Sequence, residues 1–111
     1  MENTNYIAGV VKILESPKKK LIRNNILMTK FRAQLPQLKG TTIIELKVWG
    51  NLASDLSNYY KMNDYILIEG YLSLHDKKNT NQVTQTSKKI VITVSKLYPF
   101  LLTYDRENNK R

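Results

Sequence analysis

At 111 residues the chain can form one domain with a real core but not two ordinary domains. It has no cysteine and a single histidine, so a disulfide framework and a thiolate zinc site are excluded, and neither a metal nor a cofactor is expected. Eighteen Lys and Arg against nine Asp and Glu give a formal net charge of +9, which points to a polyanionic partner or to a basic solvated surface.

No apolar run approaches the roughly 20 residues that span a bilayer, and the start Met1-Glu2-Asn3-Thr4-Asn5 is polar and acidic. A soluble protein with no membrane partner and no leader is therefore expected. The first strand is predicted over residues 5–14, with Ile7, Gly9, Val11 and Ile13 on one face and Gly9 marking a bulge or bend. Glu15-Ser16-Pro17 turns the chain into a loop that carries Lys18, Lys19, Lys20 and Arg23. The second strand, residues 26–35, alternates Leu27, Thr29, Phe31, Ala33 and Leu35 inward with Met28, Lys30, Arg32 and Gln34 outward. Pro36 and Gly40 bracket a short connection.

The third strand, residues 43–49, is the most informative. Ile44, Leu46 and Val48 face a core, so Trp49, the only tryptophan, shares the wet face with Glu45 and Lys47. A flat ring among charged neighbours is how a strand offers a stacking platform to a base. After Gly50 the period changes to about 3.6, and Leu52, Ala53, Leu56, Tyr59 and Tyr60 form one stripe of a helix over 52–62, with Asn51 as its N-cap and Asn63 as its left-handed stop. A fourth strand from Asp64 puts Ile66, Ile68, Gly70, Leu72 and Leu74 on one face, and Tyr71 among polar residues on the other. Residues 76–87 read as a loop carrying Lys77 and Lys78. The last strand, residues 88–97, starts at Lys88 and offers Ile90, Ile92 and Val94 to the core. The domain is expected over residues 1–98 and a polar tail over 99–111.

Three strands, a helix and two strands is the order of an all-β, five-stranded Greek-key barrel with one short helix between strands three and four, the oligonucleotide/oligosaccharide-binding (OB) fold. Its usual ligand face is the outside of strands two and three, flanked by the loops after strands one and four. The charge falls there too. Residues 17–39 and 77–96 hold 12 of the 18 cations and none of the 9 acids. Strand alternation and charge segregation thus select one surface for nucleic acid.

The segments Asn5-Tyr6-Ile7-Ala8-Gly9-Val10-Val11, Phe31-Arg32-Ala33, Val48-Trp49-Gly50-Asn51-Leu52-Ala53 and Asp64 to Leu72 resemble the bacterial-type single-stranded DNA-binding proteins, most closely the small version encoded in some plastid genomes. The resemblance covers about residues 5–98. It implies a sequence-tolerant binder of single-stranded DNA in replication or repair, with Trp49 stacking on a base. Phosphate contacts are then expected from Lys12, Lys30, Arg32 and Lys47 and from the loop cations Lys18, Lys19, Lys20, Arg23, Lys77, Lys78 and Lys88. It also implies a homo-oligomer, dimer or tetramer, and a plastid location, otherwise a bacterial cytoplasm. High Lys, Asn, Ile and Tyr usage fits an A+T-rich organelle genome.

The chain departs from that family in three places. Ile43 and Lys77 stand where many members have tryptophan, so binding should be weaker, by about 1–3 kcal/mol per unstacked base, unless Tyr71 or Tyr6 substitutes. Bacterial members of that family carry an acidic tail that recruits partner enzymes; with Arg106-Glu107-Asn108-Asn109-Lys110-Arg111 here, that mode of recruitment is not expected. Competing readings put Trp49 under the helix or in a subunit interface, make Tyr71 a half-buried strand residue, and leave the lysine run merely solvated. His75 has no nucleophile-base company, so catalysis is not expected. The rival functions are an RNA-binding or primosome- or ribosome-associated accessory of the same fold, and a structural oligomerisation module.

Overall fold

The computed structural model describes residues 5–37, 40–76 and 88–103. In chain order it contains β1 (Tyr6–Ile13), a short β2 (Lys20–Ile22), one turn of 3-10 helix (Arg23–Asn25), β3 (Ile26–Gln37), β4 (Gly40–Trp49), α1 (Gly50–Tyr59), β5 (Tyr65–Asp76) and β6 (Lys88–Leu101). Neighbouring strands follow the order β1-β5-β6-β4-β3-β2, and an additional β1–β3 pairing closes the five long strands into a barrel. This is the expected OB architecture, with a sixth strand added.

Two long antiparallel hairpins supply most of the ladder, β3–β4 from Met28↔Trp49 to Gln37↔Gly40 and β5–β6 from Tyr65↔Leu101 to Asp76↔Lys88. The joints between them are short. β4 and β6 pair in parallel only through Glu45↔Val91, Leu46↔Ile92 and Lys47↔Thr93, and β1 meets β3 only at Lys12↔Gln34 and Ile13↔Ala33. The barrel is filled by the alternate residues that the sequence pattern selected: Val11 and Ile13, Phe31 and Ala33, Ile44, Leu46 and Val48, Ile66 and Ile68, Ile92 and Val94. Ala53 and Leu56 of α1 join this core. Each Val, Leu, Ile or Phe among them stabilises the fold by roughly 1.5–3 kcal/mol relative to exposure.

Several local expectations are corrected. The lysine-bearing loop contains β2, which pairs with the start of β3 through Lys20↔Met28, Leu21↔Leu27 and Ile22↔Ile26. Asn24 and Asn25 turn this hairpin at φ 66° and 60°, a left-handed conformation that asparagine tolerates well. Met28 lies on the outer face yet is buried, because Lys20 and Trp49 flank it in register. The β1–β5 register runs unbroken through Gly9↔Ile68, so the expected bulge at Gly9 is absent. The irregularity lies between β5 and β6 at Glu69/Gly70, where a Cβ on Gly70 would collide with the Thr93 carbonyl.

The helix begins at Gly50 and ends at Tyr59. Its N-cap is Trp49, with no side-chain capping bond, rather than Asn51. Asn63 is left-handed, at φ 79°, but in the turn before β5 and not at the helix end. The last strand continues past Leu97 to Leu101, pairing Tyr98 with Leu67 and Pro99 with Ile66, so residues 99–101 belong to the sheet rather than to a tail. Pro99 is accommodated at a register shift between Tyr65 and Ile66. Asp64, 1% exposed, then ties down the strand's end, accepting bonds from the Thr103 N–H at 2.7 Å, the Thr103 hydroxyl at 2.8 Å and the Lys61 N–H at 2.9 Å. Of the tail expected over residues 99–111, residues 104–111 lie outside the described residues, as does most of the 76–87 loop.

Candidate nucleic-acid interface

Residues paired in register point to the same side of the sheet, so the outer surface of the barrel can be read as transverse rows. The first row is Lys20, Met28 and Trp49, from β2, β3 and β4. The next is Lys30, Lys47, Thr93 and Tyr71, from β3, β4, β6 and β5, continued by Tyr6 on β1. A third row is Arg32, Glu45, Val91 and Ser73.

Trp49 closes the first row at the last residue of β4 and is 41% exposed, so it is not packed under the helix. It is followed by Gly50, which takes φ +69° where the strand turns into α1, with open space where a Cβ would stand. Glycine adopts that conformation at no steric cost. The Tyr6 and Tyr71 rings meet edge to face at 4.9 Å, and the Tyr6 hydroxyl donates to Glu69 at 2.8 Å. Both rings stay about half exposed.

The cations divide into free and engaged groups. Lys18, Lys19, Lys20 and Arg23 are exposed along the β1–β3 connection, and Lys19 Nζ reaches Ser54 Oγ on α1 at 3.4 Å. Arg32, 65% exposed, donates from Nε to Glu15 Oε2 at 3.0 Å, while its backbone N–H donates to the same oxygen at 2.8 Å. Those two bonds, the backbone one foremost, hold the Glu15 carboxyl below its ordinary 4.5. Lys88 pairs with Asp76 at 2.7 Å. Lys12 stands 5.9 Å from the Tyr65 ring centroid and pairs with Gln34, six residues along β3 from Met28, about 20 Å from the tryptophan row. Lys12 is thus not gathered with the others. Lys77 and Lys78 lie outside the described residues.

Two residues not nominated from sequence organise the centre of this face. Glu45 Oε1 lies 2.9 Å from Lys89 Nζ and Oε2 lies 3.5 Å from Lys30 Nζ, with the Glu45 side chain only 12% exposed. Burial pushes this carboxyl up, but the hydrogen bond and charge of Lys89, joined by Lys30, outweigh it and hold the group below 4.5. Strand alternation had already put Glu45 on the Trp49 face and Lys89 opposite the inward Ile90. What the sequence does not contain is the β4–β6 pairing that joins them.

Glu45 is also the first residue of that pairing. Before it, the β3–β4 and β5–β6 hairpins diverge and leave a cleft of about 510 Å³ lined by Arg32, by residues 42–45 and by residues 88–90. Ile43 is half exposed there. Among the described residues no group of three or more His, Cys, Asp or Glu side chains is assembled to hold a metal, and no helix is long and apolar enough to cross a membrane.

A closed barrel of this strand order, with its helix between β4 and β5, defines an OB-fold domain. The SSB domain of a Synechococcus sp. protein superposes with a TM-score of 0.69, covering 88% of this chain and 98% of that one at 19% identity, and so shares the fold. No protein-family model matches. Among curated proteins, the "Putative single-stranded DNA-binding protein ycf41" of Trieres chinensis is 38% identical over 102 residues, 88% of this chain and 90% of its own length. The protein of the same name from Pyropia yezoensis is 30% identical over 91 residues, covering 82% of each chain. The chain belongs to the ycf41 family.

Proposed function

We propose that this protein binds single-stranded DNA with little sequence preference, as the names of its relatives describe for them. The observation that carries the reading is the exposed Trp49 ring at the end of a row shared with Lys20, directly beside the row of Lys30 and Lys47. A ring flanked by cations suits a base and its phosphates together, and every base has a face to stack. Tyr71 and Tyr6 extend the aromatic surface beyond Lys47 and partly replace the rings missing at Ile43 and Lys77. Strands exposed in replication or repair are the natural ligands.

Titrating the protein with an oligo-dT while following Trp49 fluorescence tests this reading. Quenching is expected, and Trp49→Ala should weaken binding about 5- to 150-fold, the equivalent of one lost stack. Unchanged affinity would rule out stacking by Trp49. Competition with an RNA of the same sequence distinguishes the RNA-binding alternative.

The homo-oligomer is proposed on the outer face of β1, β5 and β6. There Val10, Leu67 and Tyr98 form an apolar row, next to Ala8, Glu69 and Lys96. Opposite charges beside an apolar centre suit a second copy related by a twofold axis. Leu67→Glu should then lower the sedimenting mass to that of a monomer. A plastid location is proposed from the ycf41 relatives, and localisation of a tagged copy tests it.

A further inference from the structure

Glu45 is the only acid among the outward positions of β3 and β4, where it faces Lys30, Arg32, Lys47 and Trp49. A carboxylate there repels phosphate, so it weakens any binding that depends on charge alone. Two lysines hold it in place, and it lines the cleft between the two hairpins. We propose that this cleft is a base-selecting subsite in which Glu45 accepts a hydrogen bond from the exocyclic amino group of an unpaired base, favouring cytosine over thymine at one position of the bound strand. The inference rests on the single-stranded DNA reading and deepens it.

The cleft has the size and lining for the task. Its volume, about 510 Å³, lies in the range of small-ligand sites. Ile43 and Ile90, one on each diverging strand, supply apolar lining against which a base can lie, and Arg32 adds a guanidinium. A base lying against that lining can turn its Watson–Crick edge to Glu45, the edge that single strands leave open to be read.

An ionised carboxylate has about four acceptor sites and no donor. Lys89 and Lys30 each take one oxygen, which leaves a lone pair on both. The same two cations keep the group ionised, so it can only accept. The N4 amino group of cytosine donates to such a group, as it does to Glu and Asp acceptors in base recognition generally. Thymine presents its O4 carbonyl instead, and two acceptors facing each other repel. A polar group left unpaired in this way rejects the wrong ligand more strongly than a poor apolar fit does.

Equal-length oligo-dC and oligo-dT, titrated at about pH 8 with Trp49 fluorescence as the readout, test the proposal. The wild-type protein should bind oligo-dC about tenfold more tightly, the lower part of the range for one good base contact. Glu45→Gln can both donate and accept, so the dC/dT ratio should fall to within about twofold while oligo-dT binding strengthens. A purely structural Glu45 would change both affinities together and leave their ratio alone. Should Glu45→Gln fail to fold, Glu45→Asp keeps the charge but shortens the reach, and its ratio should fall as well. Salt-sensitive binding with equal wild-type affinities, or a preference that survives the substitution, overturns the base-selecting subsite and leaves the single-stranded DNA reading standing. No binding of either oligonucleotide overturns both.

Discussion

Charge contacts with a strand must show in the salt dependence of binding, and the ion pairs of this face set the expected size. Among the described residues, Lys18, Lys19, Lys20, Arg23 and Lys47 have no carboxylate within ion-pair distance, whereas Lys30 and Lys89 share Glu45, Arg32 holds Glu15 and Lys88 holds Asp76. Five free cations, at about 0.7 released counterions per single-strand phosphate contact, give a slope of log K against log salt of about −3.5. Raising salt from about 50 to 200 mM should therefore weaken oligo-dT binding about a hundredfold. Trp49 fluorescence at four or five salt concentrations measures the slope directly. Lys47→Ala and Lys20→Ala should each make it shallower by about 0.7. A wild-type slope shallower than about −1, or slopes indifferent to both substitutions, would refute phosphate binding by this face.

Four further outcomes bear on the framework that holds the site. Gly70→Ala puts a methyl group into the Thr93 carbonyl and within 3.0 Å of Val94 Cα, so the β5–β6 hairpin must shift; a loss of about 1–3 kcal/mol in chemical denaturation is expected. Asp64→Ala removes the acceptor that Lys61 and Thr103 share and should cost about 2–4 kcal/mol, read as a lower urea midpoint. Thr29 is fully buried and its hydroxyl has no partner, so Thr29→Val should leave the melting temperature unchanged or raise it by a few degrees. The carboxyls of Glu45 and Glu15 sit below 4.5 in the folded chain. Their contribution is therefore present above that pH and lost as pH falls through the lowered values, and Glu45→Gln should flatten the acid side of a melting-temperature profile.

Much of this architecture can be read from residue alternation. Ile44, Leu46 and Val48 against Glu45, Lys47 and Trp49 gave both the buried and the exposed face of β4, because a strand's period of two leaves no other arrangement once one face is apolar. The helix was legible from its stripe but not its start, since Gly50 enters it in a left-handed conformation that no apolar period records. β2 was hidden because three residues, one of them lysine, carry too little pattern to stand out from a basic loop. The tail was expected from residue 99 because the chain becomes polar there, yet β6 runs on to Leu101, and the register shift beside Pro99 explains how a proline is tolerated in it. The Lys30–Glu45–Lys89 cluster could not be read at all. Glu45 and Lys89 are brought together by a parallel joint between strands distant in sequence, and charge alternation within one strand says nothing about its neighbour in the sheet.

The uneven ladder of this barrel also shapes how the chain reaches its fold. β3 and β4 are consecutive and pair over ten positions, so that hairpin closes a short loop and can form early from local contacts. The β4–β6 and β1–β3 joints hold three and two residue pairs and close much longer loops, so they should assemble last. Native-state amide exchange should find the same order reversed: the amides bonded across the β4–β6 joint open in small fluctuations, while the hairpin centres exchange only with global unfolding. Glu45, at the mouth of the parallel joint, would then be among the first groups to feel the barrel part.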